Sequence, residues 1–176
     1  CLLDPIDITI TSTSPTNSVS SSGGTFSTSG TVSASSIQTA LNNGNSLTID
    51  VTGGSGGSGN LTVWDDVTIS KTQGAASTLT LTATNILWIK AGATFSDTAS
   101  SALTLDLRSS GAIVIADNAS ATETINIHGA LYMGGALGAL ALGNNATATN
   151  YQSTGSTGYA ALGNASAPAG VYVGQY

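Results

Sequence analysis

Short apolar–polar–apolar phrases recur through the middle of the chain. In each phrase a Thr or Asn separates two aliphatic residues, so the two aliphatic side chains share one face of an extended strand. The central residue is polar every time, and this strict alternation favours strands over helices. The phrases are Leu47-Thr48-Ile49, Leu61-Thr62-Val63, Val67-Thr68-Ile69, Leu79-Thr80-Leu81, Leu103-Thr104-Leu105 and Ile125-Asn126-Ile127.

The spacing of these phrases predicts a chain that winds in coils. The interval from Leu47 to Val67 equals the interval from Ile69 to Ile89, and both fall at the short end of solenoid repeats, which start at about 20 residues. A strand pattern that returns at such an interval is typical of a solenoid. One such coil buries too little apolar surface to offset the entropy of ordering it, so the coils must stack to be stable. We therefore predict an all-β fold, a parallel β-helix (β-solenoid) with a dry aliphatic interior.

We predict one solenoid domain, residues 1–176, in which three segments differ in composition and strand pattern. Residues 1–45 hold an opening strand, a Ser/Thr-rich loop and one short helix at 33–43, for which Ser35 or Ser36 is the predicted N-cap and Gly44 the stop. Residues 46–133 carry the regular coils. Residues 134–176 are rich in Gly, Ala and Asn, and an Ala-Leu-Gly-Asn phrase at 141 returns at 161, which predicts further coils.

Alternating apolar strands also lie near both ends of the chain. The residues concerned are Ile6, Ile8 and Ile10 at the front and Val171, Tyr172 and Val173 at the back. Neither strand carries the Lys, Pro or bulge with which natural sheets usually block an edge. We predict that these residues form open strand edges through which copies of the chain stack head to tail, since a heterologous contact that does not close produces a filament.

The composition points to the outside of a cell. Charged residues are 7% of the chain, against a usual value of about 25%, and Ser, Thr and Asn fill most polar positions. A surface made soluble by hydroxyls and amides is more typical of extracellular fibres and adhesins than of cytosolic enzymes. With a net charge of −6 and three basic residues, a nucleic-acid partner is not expected. The sequence holds no apolar run long enough to span a membrane.

The sequence offers little chemistry for catalysis. The one histidine, His128, ends a strand with no nucleophile motif beside it, so we interpret it as a corner or surface residue. Asp65 and Asp66 are adjacent, and neighbours on a strand point to opposite faces, so they are poor partners for acid–base chemistry. We predict no catalytic residue, no metal site and no cofactor. Thr ladders of the ice-binding kind are a further alternative, but Thr-x-Thr recurs cleanly only at 78–84.

Two tryptophans and one cysteine allow more than one interpretation. Trp64 and Trp88 each follow or interrupt a strand phrase and are expected on nearby coils. They are either packing and corner residues or a surface aromatic pair for stacking on a glycan or contacting another subunit. Cys1 opens the chain, as expected for a processed product or a part of a longer protein. It is a boundary residue, one half of an intermolecular disulfide, or a lipid anchor.

Two stretches of the chain resemble large secreted exoproteins of the filamentous haemagglutinin type, which are made by two-partner secretion. They are Leu2-Leu3-Asp4-Pro5-Ile6-Asp7-Ile8-Thr9-Ile10 and Ser36-Ile37-Gln38-Thr39-Ala40-Leu41-Asn42-Asn43-Gly44-Asn45-Ser46-Leu47-Thr48-Ile49, with the rhythm continuing at 79–86. The resemblance covers roughly the first half of the chain and implies a right-handed parallel β-helix on a bacterial cell surface. Cys1 stands where family members usually have Trp, and family members are far longer.

Together these observations predict a non-catalytic extracellular structural subunit. Its expected partners are other copies of itself, which join head to tail into a bacterial surface fibre. The alternative is an adhesin fragment that binds a cell-surface glycan or protein through its side loops.

Overall fold

A computed structural model describes residues 6–53, 56–115 and 124–134, together with the backbone of four further strands after them. The strands are β1 (Ile8–Thr11), β2 (Gly24–Phe26), β3 (Gly30–Ser33), β4 (Leu47–Asp50), β5 (Leu61–Val63), β6 (Thr68–Lys71), β7 (Ser77–Ala83), β8 (Ile86–Ile89), β9 (Thr94–Asp97), β10 (Leu103–Ser109), β11 (Ala112–Ile115), β12 (Thr124–Asn126), β13 (Leu131–Gly134), β14 (Ala139–Leu142), β15 (Thr147–Thr149), β16 (Tyr159–Ala161) and β17 (Gly170–Gly174). One helix, α1 (Ala34–Asn42), lies between β3 and β4.

The strands form three sheets, and the chain visits the sheets in turn. Sheet A has the order β14-β11-β8-β5-β1-β3, sheet B the order β16-β17-β13-β10-β7-β4-β2, and sheet C the order β15-β12-β9-β6. The pairs are parallel, except that β16 pairs antiparallel with β17. This arrangement is a β-solenoid of about four turns with one short helix, and it confirms the predicted fold class.

The middle coils wind with a longer period than the sequence predicted. Ser70 and Ser96 lie opposite each other on β6 and β9, and their separation along the chain is 26 residues. Leu61 on β5 pairs with Leu87 on β8 at the same interval. The shorter predicted period was therefore wrong, because the phrases at 47 and 67 belong to strands of different sheets, B and C. Alternation fixes which side chains point inward, but the turns between strands decide which sheet each strand joins.

Aliphatic side chains of successive coils stack inside the solenoid. In sheet B, Ile49 lies opposite Leu81, Leu81 opposite Leu107, and Leu107 opposite Met133. Each of these four side chains is buried. Since neighbouring strands lie about 4.8 Å apart, every coil covers the apolar residues of the one before it. The core is therefore continuous along the axis through the described coils.

Helix α1 occupies one end of sheet C, where the coil has no strand. Its N-cap is Ser33, whose hydroxyl accepts a hydrogen bond from the Ser36 amide, so the predicted caps Ser35 and Ser36 were wrong. The predicted stop is confirmed, because Gly44 follows the C-cap with φ 78° and its amide donates to the Leu41 carbonyl. The helix packs against β6, the outermost strand of sheet C, and thereby covers the edge that this strand would otherwise expose.

Candidate functional site on the outer face of sheet A

An aromatic patch lies where β5 and β8 pair on the outer face of sheet A. Thr62 lies opposite Trp88, and Val63 lies opposite Ile89. Val63 and Ile89 are buried, so strand alternation turns Trp88 outward. Trp64 follows β5 directly. The structure thus brings the two predicted tryptophans together on adjacent coils.

A lysine joins the two indole rings. The Lys90 ammonium lies 4.5 Å from the centroid of the Trp64 ring and 5.1 Å from that of Trp88. Both distances are within the range of about 6 Å over which a cation is attracted to a ring face. We call Trp64, Trp88 and Lys90 the Trp–Lys patch. Sequence reasoning missed Lys90, although it has the same parity along the strand as Trp88 and therefore lies on the same side.

The backbone holds the patch from both sides. The Trp64 amide donates to the Ile10 carbonyl at 2.9 Å, and the Lys90 amide donates to the Val63 carbonyl at 3.0 Å. Trp64 is 46% exposed, and it is the exposed large hydrophobic residue of the described chain. The indole nitrogen of Trp88 is shielded from solvent and has no hydrogen-bond partner among the described residues. The patch is therefore anchored through its backbone and is partly open to solvent.

The two strands predicted as open edges both have neighbours. β1 lies between β3 and β5 in sheet A, and its residues Ile8 and Ile10, like the preceding Ile6, are buried in the core. β17, which contains Val171, Tyr172 and Val173, lies between β13 and β16, and the side chains of β17 are outside the described residues. The part that these strands play in assembly stays a prediction. Cys1 also lies outside the described residues.

The outermost strands at the helix-bearing end are β3 in sheet A and β2 in sheet B. The outer edge of β3 is already engaged, since the amides of Thr16 and Asn17 both donate to the Thr31 carbonyl, and the Ser33 amide donates to the Asn17 carbonyl. With α1 over β6, two of the three sheets are covered at this end. Only β2 presents an outermost strand there without such a cover among the described hydrogen bonds.

A buried carboxylate fastens two coils at a corner of sheet C. Asp97 accepts hydrogen bonds from the backbone amides of Leu103 and His128, and the His128 Nδ1 lies 2.6 Å from the same carboxylate. The Asp97 side chain is fully shielded, whereas that of His128 is 41% exposed. His128 thus lies at a corner of the solenoid, as predicted, but with an acidic partner that sequence reasoning missed. Its contacts serve to hold two turns together.

A buried lysine stands beside this corner on the preceding coil. Lys71 lies opposite Asp97 in the β6–β9 pair and has no exposed surface. Its ammonium donates to the carbonyls of Leu41 at 2.6 Å and Gln73 at 2.7 Å. Burial lowers the pKa of Lys71, and the negative charge of Asp97 partly opposes that shift. Because Leu41 lies in the last turn of α1, the cation also meets the negative end of the helix dipole.

Two further structural findings concern classes of site. No helix among the described residues is long and apolar enough to cross a membrane. Within the same residues, no three His, Cys, Asp or Glu side chains gather into a group that suits a metal ion.

Comparison with known proteins gives no match to any family model, to any curated protein or to any solved structure. The solenoid is compatible with a β-helix adhesin. The specific likeness to filamentous haemagglutinin therefore rests on the sequence phrases quoted above.

Proposed function

We propose that this protein is a non-catalytic structural module outside a bacterial cell, a short solenoid rod whose lateral surface binds a cell-surface glycan or protein. The observation that carries the proposal is the position of the exposed aromatic side chain. Trp64 is exposed on the side of the rod, whereas β1, which was expected to join copies end to end, is enclosed between β3 and β5.

The architecture supports a rod that holds its shape. Successive coils keep their register on three sheets, and the stacked aliphatic residues exclude water from the axis. Such a stack has many small, similar interfaces, and its stability grows with each neighbouring coil. The few charges and many Ser, Thr and Asn residues suit an extracellular surface. These properties are those of a spacer that presents a side surface at a fixed distance.

Binding to intact bacterial or host cells tests this proposal. Fluorescently labelled protein should bind cells saturably, and unlabelled protein should compete with it. Sedimentation velocity over a range of protein concentrations should give one species with the mass of a single chain. Cell binding that neither saturates nor responds to competition would contradict the proposal.

A fibre subunit is the second candidate, and the uncovered strand β2 favours it. β2 is the outermost strand of sheet B, and its residues Gly24 and Thr25 are exposed. A strand from a second copy would extend sheet B there by β-augmentation. Electron microscopy separates the two candidates, because filaments that lengthen with protein concentration require this second function. Replacing Thr25 with Pro would remove one edge amide and should stop their growth.

A further inference from the structure

We infer that the Trp–Lys patch is a carbohydrate-binding platform, on which a neutral pyranose ring stacks against the exposed indole of Trp64, on the face that Lys90 leaves open. This inference rests on the proposed lateral binding function and names its ligand class. The sheet itself does not require aromatic residues at this place. On the preceding coils the outward row that leads to Trp88 is formed by Thr residues, because Thr31 lies opposite Thr9, Thr9 opposite Thr62, and Thr62 opposite Trp88. On the following coil Val114 lies opposite Trp88.

The exposure of Trp64 is the first argument for a ligand. Large hydrophobic side chains of the described chain are buried or half-buried, while Trp64 is 46% exposed. Leaving an indole in water forgoes the stabilisation that its burial gives, which is about 25 cal/mol per Å². The Trp64 ring is also held in place by the Lys90 ammonium at 4.5 Å. An exposed and already ordered indole loses little entropy on binding.

The size of the patch favours a sugar over a protein partner. A fully buried aromatic side chain contributes about 150–250 Å², and Trp64 is 46% exposed, whereas a specific protein interface needs about 800 Å² from each partner. The open part of the patch falls short of that area, but it suits one sugar ring. A pyranose with equatorial hydroxyl groups has an apolar face of C–H bonds, which packs flat on an indole, and a polar rim. Ring face and sugar face are thus matched in both shape and polarity.

Polar groups lie beside the indoles on the side of the preceding coil, where the sugar rim would lie. The Thr62 hydroxyl neighbours Trp88 across the β5–β8 pair, and Asp65 is exposed in the turn directly after Trp64. Lys90 provides an ammonium group that donates hydrogen bonds. Donors and acceptors of both kinds suit hydroxyl groups, which donate and accept. The net charge of −6 favours a neutral glycan over an anionic one.

Titration of the purified protein with defined oligosaccharides tests the inference. The probes are cellohexaose, chitohexaose and mannohexaose, with a hyaluronan hexasaccharide as the anionic comparison, and the readouts are calorimetry and tryptophan fluorescence. We expect at least one neutral probe to bind, and Trp64→Ala and Trp88→Ala each to weaken that binding about tenfold, which is about 1.4 kcal/mol. Trp64→Phe should retain part of the affinity.

Thr80→Ala is the matched control, because Thr80 occupies an outward position on sheet B, away from the patch. Its affinity should equal that of the unmodified protein, and circular dichroism melting should show that every variant is folded. The inference is overturned if no neutral probe binds, if only hyaluronan binds, or if binding survives the double substitution of both tryptophans. Loss of binding in Thr80→Ala equal to that in Trp64→Ala would also overturn it.

Cell binding distinguishes this inference from the proposed function. If the tryptophan variants bind cells as well as the unmodified protein does, the protein binds cells through another part of its surface and the carbohydrate platform fails. If the purified protein binds a neutral oligosaccharide through the indoles but binds no cells, the platform stands and the proposed function fails.

Discussion

Lys71 and Lys90 are two of the few basic residues of the chain, and they occupy opposite environments. Lys71 has no exposed surface and donates to two backbone carbonyls beneath the end of α1. Lys90 lies on the outer face of sheet A across two indole rings. The first lysine takes an inward position of its strand, and the second covers an aromatic surface. Lysine therefore stabilises the interior of the solenoid at Lys71 and contacts the aromatic rings of its surface at Lys90.

The difference between the two lysines comes from strand parity. In β6 the inward side chain Ile69 is followed two positions later by Lys71, so Lys71 must point inward. Lys90 directly follows the buried Ile89 and so points outward. Lys71 is tolerated inside because helix α1, unlike a strand, ends in carbonyl groups that need donors. The helix end and the buried cation therefore depend on one another.

The largest expected effect is the loss of Lys71. Lys71→Ala removes the ammonium donor from the Leu41 and Gln73 carbonyls and opens a cavity, and we expect the free energy of unfolding to fall by about 2–4 kcal/mol. Lys90→Ala should lower it by about 1 kcal/mol or less, since the cation–π contacts that it removes lie at the surface. Urea denaturation measures both changes. Equal losses of unfolding free energy in the two variants would contradict the difference between the buried Lys71 and the surface Lys90.

The carboxylate beside Lys71 gives the next largest effect. Asp97→Asn places an amide group against the backbone donors of Leu103 and His128, and we expect a loss of about 1–3 kcal/mol. The matched control is Asp50→Asn, because Asp50 accepts a hydrogen bond from the Thr52 amide at an exposed turn. That variant should lose about 0.5 kcal/mol or less. A similar loss in the two variants would mean that the contact of Asp97 with the next coil adds nothing to stability.

The opposite end of α1 gives a smaller effect. Ser33→Ala removes the N-cap and should lower the free energy of unfolding by about 1 kcal/mol. Ser35→Ala removes only a hydroxyl that bonds to Ser33, and we expect less than half of that loss. Thermal denaturation of the two variants measures the difference. The reverse order would restore Ser35 as the cap that the sequence predicted.

The smallest effect is a pH dependence that belongs to Lys71. Its pKa in the folded protein lies below the ordinary value of 10.5, so between these two values the unfolded chain holds more protons. Stability should therefore rise with pH across that window, relative to Lys71→Met, in which the group is absent. Urea denaturation at several alkaline pH values measures the difference. A gap between the two proteins that stays constant with pH would contradict the buried position of this amine.

Alternation predicted the strands and the inward residues, and those predictions required only local information. Leu47, Ile49 and Leu61 lie in the core where the pattern put them. The true coil period was missed because the turns between strands differ in length and composition, and neither property reveals which sheet comes next. The inward position of Lys71 follows from strand alternation alone. It was still overlooked, since a lysine is rarely expected in a protein interior.

The candidate site was predictable in part. Trp64 and Trp88 were expected on nearby coils, but their common face required the pairing of β5 with β8. The place of Lys90 could have been predicted, because it lies two positions after Trp88 and therefore on the same outward face. The contact between Asp97 and His128 spans 31 residues and depends on the length of the connection before β12, so alternation could not find it.

The parallel ladders have a mechanical consequence. The hydrogen bonds that join neighbouring coils run along the axis, so a force that pulls the two ends of the rod apart loads the pairs between coils one after another. Each middle coil that peels away releases 26 residues, which extend to about 90 Å of chain. A solenoid of this kind should therefore lengthen in discrete steps under load, one coil at a time.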